Sequence, residues 1–407
     1  MRGTAEAATC NPLSRSSSRP HLVIDARTML SEHTSGIGRY ASGIVQGIDM
    51  LAAAGRFSYS LLVPHKQMER VSALQLPHCS GIAPLRSLAK SLAHQILKRG
   101  LNFSLDALLP KGHYYFPAFT VLPMRSRTTA VVVHDLAHLD VPHYVETGNV
   151  ELLRYALPRS IRQAQSIIAV SKYTKQRIAH HFQVDPSAIH VAPPAVDRSV
   201  YRRIDPTVAR ETRERYGVSC GDYLLAVGTL EPRKNLVNLI DAFASLPAAI
   251  HRTHSLVLVG ANGWDKGAAH ARIAQAKANG VDIVRPAGFV RDDDMAAFYS
   301  GARGLAFVPH YEGFGIPPLE AYACGTPVLA SRVASVPEAA GDIACYVDDP
   351  SDVAAIGRGL LELLSIDEQR RKTMEPLMNL HLDRFEWLRS AALTVSAMTG
   401  IPVSELM

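Results

Sequence analysis

Short apolar segments alternate with helix-forming segments along most of the chain, and this alternation limits the fold more than any other feature. In the first half these segments are HLVIDA, YSLLVP, TAVVVHD and SIIAVS, at residues 21–26, 59–64, 129–135 and 166–171. In the second half they are YLLAVGT, HSLVLVG, DIVRPAG, GLAFVPH and TPVLAS, at residues 223–229, 254–260, 282–288, 304–310 and 326–331. Each segment is typical of a buried parallel strand, and helical patterns such as 234–246 and 292–301 lie between them. The pattern predicts an α/β fold with two doubly wound sheets.

From the length of the chain we also expect two domains, because 407 residues exceed one ordinary hydrophobic core. The break falls in VAPPAVDRSVYRRIDP, residues 191–206, where prolines and charges replace the apolar periodicity. We therefore expect Rossmann-like domains over 21–200 and 201–383, followed by a helical segment over 384–407. Two such domains form a cleft between the carboxyl ends of their strands, where ligands bind.

Charge and hydropathy narrow the range of partners. The chain carries 43 Lys and Arg against 37 Asp and Glu, a formal net charge of +6. This excess fits an anionic small molecule or an acidic membrane surface, and the absence of a basic block or an aromatic RNA-binding pattern argues against nucleic acid. No run of eighteen apolar residues occurs in the sequence, so no spanning segment is predicted.

The cysteines and the first twenty residues indicate the compartment. The five cysteines are odd in number, widely spaced and without a Cys-x-x-Cys motif. These features argue against a disulfide framework or a zinc site and favour the cytoplasm. Residues 1–20 are rich in Ser and Arg and lack the apolar segment of a signal peptide, so we expect a disordered tail.

A basic amphipathic pattern covers residues 85–99, LRSLAKSLAHQILKR. Its apolar positions are Leu85, Leu88, Leu92 and Ile96, and its basic positions are Arg86, Lys90, His94 and Lys98. Such a helix either contacts a membrane surface or covers the first domain with its apolar face. The sequence leaves both interpretations open.

Two glutamates, Glu312 and Glu320, stand eight positions apart in YEGFGIPPLEAYACGTPVLA, residues 311–330. Pro317 suits a first helical turn because its missing N–H would be unpaired there, so Glu312 lies in a loop and Glu320 early in a helix. Backbone N–H groups over 314–316 would cradle a phosphate, and the carboxylates would accept hydrogen bonds from sugar and ribose hydroxyls. Taken alone, the pair also fits a solvated loop residue and a residue that complements a helix dipole.

The segment 311–330 resembles the E-x7-E signature of retaining glycosyltransferases of family 4, which adopt the GT-B fold of two Rossmann-like domains facing across a cleft. The resemblance extends over about residues 21–395. Its other motifs are SGIGRY (35–40), VVVHDL (131–136), IIAVSKYTKQ (167–176), VAPPAVD (191–197), VGTLEPRKNL (227–236), LVLVG (256–260) and GFV (288–290). We therefore expect the GT-B fold.

This resemblance implies roles for the residues that match the motifs. In similar enzymes the first glutamate touches the donor sugar and the second binds the nucleotide ribose, which points to Glu312 and Glu320. Arg233 and Lys234 match the cations that neutralise the diphosphate leaving group, where developing negative charge needs stabilisation. His134, at the end of a predicted strand, matches a histidine that helps to position the donor sugar.

The donor-binding surface implied by the resemblance includes several backbone positions. These are Gly313, Phe314, Gly315, Ile316 and Leu319 in the glutamate segment, Gly228 and Thr229 in VGTLEPRKNL, and Gly36 and Gly38 in a Gly-rich turn between the first strand and its helix. Many relatives carry an arginine at the position of Thr229, so more of the diphosphate contact is expected from Arg233.

No metal or cofactor is expected. Asp292, Asp293 and Asp294 formally match the D-x-D metal site of the other large glycosyltransferase architecture. They directly precede the helical pattern MAAFYSGA, and we interpret them as caps of a helix N-terminus.

The implied activity is a retaining, metal-independent transfer of a sugar from a nucleotide-diphosphate donor to a glycan or lipid-linked acceptor. GTLEPRKN together with the HDL motif resembles bacterial mannosyltransferases that use GDP-mannose in cell-surface polysaccharide assembly, at the cytoplasmic membrane face. UDP-glucose, UDP-galactose and dTDP-rhamnose remain alternative donors, and a non-catalytic nucleotide-sugar binding protein and a phosphorylase remain alternative functions. A nicotinamide oxidoreductase is disfavoured because no G-x-G-x-x-G follows an early strand.

The C-terminal segment RFEWLRSAALTVSAM, residues 384–398, has a helical period. In similar proteins a terminal helix crosses back to the first domain. We expect the same here, with Trp387 as its packing anchor.

Overall fold

Two parallel β-sheets organise the chain. The computed structural model describes residues 19–30, 35–85, 109–122, 124, 128–265 and 267–407. The central strands of each sheet are buried and apolar, such as Thr129–Val133, in which every residue is buried, whereas the edge strand Ile82–Leu85 has none that is. The prediction of two doubly wound sheets is therefore confirmed.

Seven strands form the first sheet within the described residues, all parallel, in the order β3-β2-β1-β4-β5-β6-β7. Their bounds are β1 His21–Asp25, β2 Ser58–Pro64, β3 Ile82–Leu85, β4 His113–Phe116, β5 Thr129–Val133, β6 Ser166–Ala169 and β7 Ile189–Val191. The chain order reverses between β1 and β4, so the loops that follow these two strands diverge and open a crevice.

Six strands form the second sheet in the same part of the chain, again all parallel, in the order β10-β9-β8-β11-β12-β13. Their bounds are β8 Asp222–Val227, β9 His254–Val259, β10 Ile283–Val284, β11 Gly304–Phe307, β12 Val328–Ser331 and β13 Cys345–Val347. The order reverses between β8 and β11, which places the loops after these strands at the ligand-binding edge of a doubly wound sheet.

Helices cover both sheets. Those of the first sheet are Gly36–Ala52, Ala137–Asp140, Thr147–Gln163 and Lys172–Phe182, with 3-10 turns at His65–Leu74, Pro142–Tyr144 and Pro186–Ala188. Those of the second are Pro206–Glu214, Leu236–Ala244, Ala248–His251, Ala268–Ala278, Asp292–Gly301, Pro317–Ala323, Val336–Ala340, Val353–Leu364 and Glu368–Leu382, with 3-10 turns at Pro232–Lys234 and Gly341–Ile343. The chain ends with Trp387–Thr399 and Val403–Leu406.

The helix Trp387–Thr399 packs against the helix Gly36–Ala52 of the first sheet. A Cβ at Gly43 would lie 2.4 Å from the indole ring of Trp387, so the two helices approach closely because residue 43 has no side chain. The Ser390 hydroxyl donates to the carbonyl of Pro193 at 2.7 Å, and the Ser166 hydroxyl donates to that of Ala397 at 2.7 Å. The chain therefore returns to the first sheet after completing the second.

Several local predictions differ from the structure. The helix expected over 234–246 is Leu236–Ala244, because Asn235 takes a left-handed conformation with φ of 61°. Its buried side-chain amide donates to the carbonyls of Val308 and Pro350, at 2.8 and 2.6 Å. These bonds hold the backbone turn, and Lys234 consequently ends a 3-10 turn instead of opening the helix.

The prediction that a basic helix covers residues 85–99 is wrong at residue 85. Leu85 is the last residue of β3 and pairs with Pro64. Residues 86–99 lie outside the described residues, as do residues 1–18 of the expected N-terminal tail. In the part of the chain that the structure describes, no helix combines the length and apolarity that crossing a bilayer requires.

Gly43→Ala should destabilise the contact between the first and last helices. The new methyl group would overlap the Trp387 ring, and overpacking of this kind lowers the free energy of unfolding by about 1–3 kcal/mol. Gly148→Ala is the matched control, because a Cβ at this helical position meets no atom within 4 Å. Urea denaturation of both variants checks the prediction, and equal stability of the two would contradict it.

Candidate active site

The two loops that carry the predicted cations and the first glutamate are neighbours at the switch point of the second sheet. β8 and β11 pair directly, with Leu224 opposite Gly304, so the chain segments that follow them leave the sheet side by side. The first segment carries Arg233 and Lys234, and the second carries Glu312. Pairing of the strands brings these side chains together across 78 residues of sequence.

Glu312 is the centre of a buried ion network. Its carboxylate is 6% exposed and accepts hydrogen bonds from Lys234 Nζ and from Arg233 Nη1, the latter at 3.2 Å. Arg233 also donates to Glu231 Oε1 at 2.9 Å and lies 3.6 Å from Asp135 Oδ2 in the first domain. Three carboxylates therefore surround Arg233, and they come from both sides of the cleft.

The pKa values follow from this network. Burial alone would raise the pKa of Glu312, but Lys234 and Arg233 outweigh it and hold that pKa below its ordinary value. Burial would likewise lower the pKa of Arg233, and Glu312, Asp135 and Glu231 raise it instead. Glu312 and Arg233 are therefore both charged at neutral pH.

Glu320 has a different environment. It lies in the helix Pro317–Ala323, which begins where the prolines predict, and is 2% exposed. Tyr299 Oη donates to its Oε2 at 2.5 Å, and Arg39 Nη1 donates to its Oε1 at 3.0 Å. Burial raises the pKa of Glu320 above its ordinary value although Arg39 opposes the shift. The surroundings of Glu312 therefore favour its charged form, whereas those of Glu320 disfavour the charged form.

Arg39 comes from the first domain and also pairs with Asp292, so one guanidinium ties two acidic side chains of the second domain. The interpretation of Asp292 to Asp294 as caps is corrected by this geometry. Arg291 is the N-cap residue and makes no side-chain cap hydrogen bond, whereas all three aspartates lie in the first helical turn. There they complement the helix dipole, and Asp294 accepts a hydrogen bond from Tyr216 Oη at 2.6 Å.

His134 follows β5 at the edge of the first sheet. Its Nε2 lies 2.7 Å from the carbonyl oxygen of Pro117, which can only accept, so the neutral ring carries its proton on Nε2. The ring also contacts Tyr40 and Phe119 edge-on, at centroid distances of 5.1 and 5.5 Å. Burial lowers the pKa of His134, which leaves Nδ1 as a neutral acceptor.

The backbone of the glutamate segment meets the first domain directly. A Cβ at Gly313 would lie 1.7 Å from the carbonyl oxygen of His134, so only glycine permits this approach. Gly315 has a φ of 90°, in the left-handed region. The side chains of Phe314 and Leu319 are buried, and Phe314 packs against Phe385, which follows the helix Glu368–Leu382. Leu319 is fully buried, and its N–H already donates to the carbonyl of Ile316 at 2.8 Å, so its observed role is in the core.

The remaining predicted donor-binding residues lie at the starts of two helices and in the turn that contains Gly228. Ile316 is the N-cap residue of the helix that carries Glu320. Gly228 lies beneath the aliphatic part of Lys234, and Thr229 follows it in the same turn. Gly36 and Gly38 were expected in a turn before a helix, but they form its first turn.

The N–H of Gly38 is already used, because it donates to the hydroxyl of the N-cap residue Ser35 at 3.2 Å. A phosphate-binding role for this glycine pair would therefore rest on the neighbouring N–H groups of the first turn. Within the described residues, no three His, Cys, Asp or Glu side chains are arranged to hold a metal ion.

Sequence reasoning missed three residues that complete the site. Glu231 and Asp135 lie inside the quoted motifs. Glu231 stands two residues before Arg233 and Asp135 directly follows His134, so their positions in the sequence could have indicated that they belong to the site. Tyr299 gave no local signal, since it reaches Glu320 from the end of another helix.

Comparison with known proteins identifies the family. Residues 63–200 match the model of "Glycosyltransferase Family 4", and residues 210–375 match that of "Glycosyl transferases group 1". The chain is 32% identical to the O-antigen chain mannosyltransferase B of Escherichia coli over 285 residues, which cover 70% of this chain and 73% of that protein. The chain belongs to the family 4 glycosyltransferases.

Two further proteins extend the comparison for this glycosyltransferase. A GDP-mannose-dependent alpha-(1-6)-phosphatidylinositol monomannoside mannosyltransferase from Mycolicibacterium smegmatis is 29% identical, over 63% of this chain and 68% of that protein. HepE from Anabaena, crystallised with UDP and glucose, superposes with a TM-score of 0.64 at 15% identity, over 94% of this chain and all of that chain. The predicted GT-B fold and the glycosyltransferase family are both confirmed.

His138 lies in the helix Ala137–Asp140, and its burial predicts that the stability of the protein depends on pH. It is 1% exposed, and neither ring nitrogen has a hydrogen-bond partner among the described residues. Burial lowers its pKa, with Arg154 and His181 acting in the same direction and Asp135 and Asp140 opposing them. The folded protein therefore keeps this ring neutral at a pH where the unfolded chain protonates it.

The free energy of unfolding should consequently fall as the pH drops below 6.5, the ordinary value for histidine, because the unfolded chain then binds the additional proton. His138→Leu removes this contribution and should make the fall between pH 6.5 and lower pH shallower. Urea denaturation at a series of pH values checks it. A variant with the same pH slope as the wild-type protein would contradict the prediction.

Proposed function

We propose that this glycosyltransferase transfers mannose from GDP-mannose, with retention and without a metal ion, to a glycan or lipid-linked acceptor during cell-surface polysaccharide assembly. One observation carries the proposal. Glu312 is flanked by Arg233 and Lys234, and Arg233 lies 3.6 Å from Asp135 across the cleft of a GT-B fold. This arrangement offers cations for a diphosphate and acceptors for sugar hydroxyls in one buried place.

The proposed role of Arg233 and Lys234 is to neutralise the leaving diphosphate. Cleavage of a sugar–phosphate bond builds negative charge on the phosphate oxygens, and buried cations stabilise that charge more than they stabilise the bound donor. The guanidinium of Arg233 adds paired donors that an ammonium group lacks. With two cations in place, the chemistry needs no divalent metal ion.

Glu320 is proposed to bind the ribose of the donor. Its two oxygens are held by Tyr299 and Arg39, and both groups only donate hydrogen bonds to it. Ribose hydroxyls are donors of the same kind, so they can replace Arg39 at Oε1. Donor entry would then release Arg39 from Glu320 towards the anionic diphosphate.

Mannose and GDP are favoured by the relatives. One is named an O-antigen chain mannosyltransferase and another is named GDP-mannose-dependent. HepE was crystallised with UDP and glucose, which keeps UDP-glucose as an alternative donor, beside UDP-galactose and dTDP-rhamnose. The fold alone does not select among these sugars.

The proposed reaction retains the anomeric configuration. The acceptor hydroxyl attacks the face from which the diphosphate departs, and the departing phosphate oxygen takes the acceptor proton. Glu312 is engaged by Lys234 and Arg233, so we assign it to binding the donor sugar and give it no nucleophilic role. Closure of the domains excludes water, which would otherwise hydrolyse the donor.

The test is a panel of nucleotide sugars with EDTA present, measured by ligand-induced thermal stabilisation and by transfer to octyl α-mannoside. GDP-mannose should raise the melting temperature by mass action and be consumed in transfer. Glu320→Gln should remove most of the shift, whereas the exposed control Glu211→Gln should retain it. A shift that requires a divalent cation, or a stronger response to a UDP or dTDP sugar, would overturn the corresponding part of the proposal.

Glu312→Gln should separate nucleotide binding from turnover. In the wild-type protein the carboxylate of Glu312 competes with a diphosphate for Lys234 and Arg233. Its neutralisation should tighten GDP binding by about tenfold, equivalent to about 1.4 kcal/mol. Turnover should fall by about a hundredfold or more, because the donor sugar loses its anionic partner.

Calorimetric titration with GDP and the transfer assay measure the two effects, with Glu211→Gln as the control that changes neither. Weaker GDP binding by the Glu312→Gln protein would contradict the competition between this carboxylate and the diphosphate.

A further inference from the structure

Tyr311, the residue before Glu312, is bonded to the opposite domain. Its hydroxyl donates to Asp140 Oδ2 at 2.8 Å, across 171 residues of sequence. The Tyr311 side chain is 3% exposed, and its ring meets Tyr173 edge-on at a centroid distance of 5.9 Å. The contact is therefore a buried hydrogen bond between the two domains.

Asp140 is held rigidly as the acceptor. Arg177 Nη2 donates to its Oδ1 at 2.5 Å and Arg177 Nε to its Oδ2 at 3.0 Å, in a forked ion pair. His181 Nε2 lies 2.7 Å from the same Oδ1. Both partners stand one turn apart on the helix Lys172–Phe182, so the first domain fixes the carboxylate before Tyr311 reaches it.

The residue after Glu312 is also bonded to the first domain. Thr174 Oγ1 donates to the carbonyl of Gly313 at 3.1 Å, and Thr174 lies in the same helix as Arg177. The carbonyl of Glu312 itself accepts from Ser335 Oγ of the second domain at 2.8 Å. The two cross-domain bonds therefore flank Glu312 on both sides, while the carbonyl of Glu312 is bonded within the second domain.

We propose that Tyr311, Asp140 and Thr174 are positioning residues that fix Glu312 against the donor sugar only when the two domains are closed. The pair of bonds, Tyr311 to Asp140 and Thr174 to Gly313, is termed the Glu312 bracket. The inference rests on the proposed function of Glu312 as the donor-sugar partner. It adds that the position of Glu312 depends on closure of the domains, because opening of the cleft breaks both bonds beside this carboxylate.

The protonation states of Asp140 and Tyr311 favour their hydrogen bond at neutral pH. Arg177, His181 and Tyr311 outweigh burial and hold the pKa of Asp140 below its ordinary value. Burial and the nearby Asp140 raise the pKa of the Tyr311 phenol above its ordinary range. The acceptor is thus anionic and the donor protonated at neutral pH.

The bracket matters because sugar transfer depends on alignment. A shift of about 1 Å in a group that touches the reacting sugar costs as much as a hundredfold in rate. Nucleotide binding relies instead on Glu320 and the cations in this scheme, so it should be less sensitive to the loss of one bracket bond. A split between kcat and KM distinguishes this role from a general loss of structure.

The test uses Tyr311→Phe, which keeps the ring against Tyr173 and removes only the hydroxyl. Tyr223→Phe is the matched control, because the hydroxyl of this buried tyrosine donates to the carbonyl of Phe298 at 2.6 Å, inside one domain. With GDP-mannose and octyl α-mannoside, Tyr311→Phe should lower kcat by about tenfold or more and change KM for GDP-mannose by less than about twofold.

Tyr223→Phe should lose stability to a similar extent but retain kcat. Thr174→Val, which removes the other bracket bond, should reproduce the kcat loss. An unchanged kcat in Tyr311→Phe, or an equal loss of kcat in Tyr223→Phe, would overturn the inference.

A second readout does not depend on the donor. Hydrogen exchange of the peptide that covers residues 311–316, followed by mass spectrometry on the full chain, should be faster in Tyr311→Phe than in the wild-type protein or in Tyr223→Phe. If GDP-mannose gives the wild-type protein neither thermal stabilisation nor turnover, the proposed donor is wrong, and this exchange rate still decides the bracket. Equal exchange in all three proteins would overturn it.

Discussion

The junction of the two domains depends on the buried carboxylate of Glu312. A charge removed from water is tolerated only with partners, and here Lys234 and Arg233 supply them while Glu231 and Asp135 balance Arg233 in turn. Asp135 belongs to the first domain, so its ion pair with Arg233 joins the edges of both sheets. The parallel pairing of β8 with β11 makes the cluster possible, because it sets the two loops of the second domain side by side.

Such a network is poorly suited to serve stability alone. Buried ion pairs seldom add net stability over apolar packing. An incoming diphosphate would have to displace Glu312 as the partner of Lys234 and Arg233. The second cluster follows the same logic, since Arg39 reaches from the first domain to Glu320 and Asp292. In both clusters, groups proposed to bind the donor are held by the opposite domain, which links ligand exchange to movement of the domains.

Much of the fold was readable from the sequence because long apolar segments such as 223–229 and 254–260 carry the strand signal. The short strands β3, β4, β7 and β13 were missed, since three or four residues give too little periodicity to detect. The motifs located Glu312, its partners Arg233 and Lys234, and Glu320, but not Tyr299, which donates to Glu320. A contact such as that of Tyr311 with Asp140 joins residues 171 positions apart, and only the packing of the domains creates it.

A crystal structure of the wild-type protein with GDP, grown in the presence of EDTA, tests the central claim most directly. The account predicts the diphosphate within hydrogen-bonding distance of Arg233 and Lys234, the ribose on Glu320, and Arg39 released from that carboxylate. A diphosphate bound away from these cations, or GDP that binds only through an added divalent metal ion, would contradict the claim that this charge network is a metal-independent donor site.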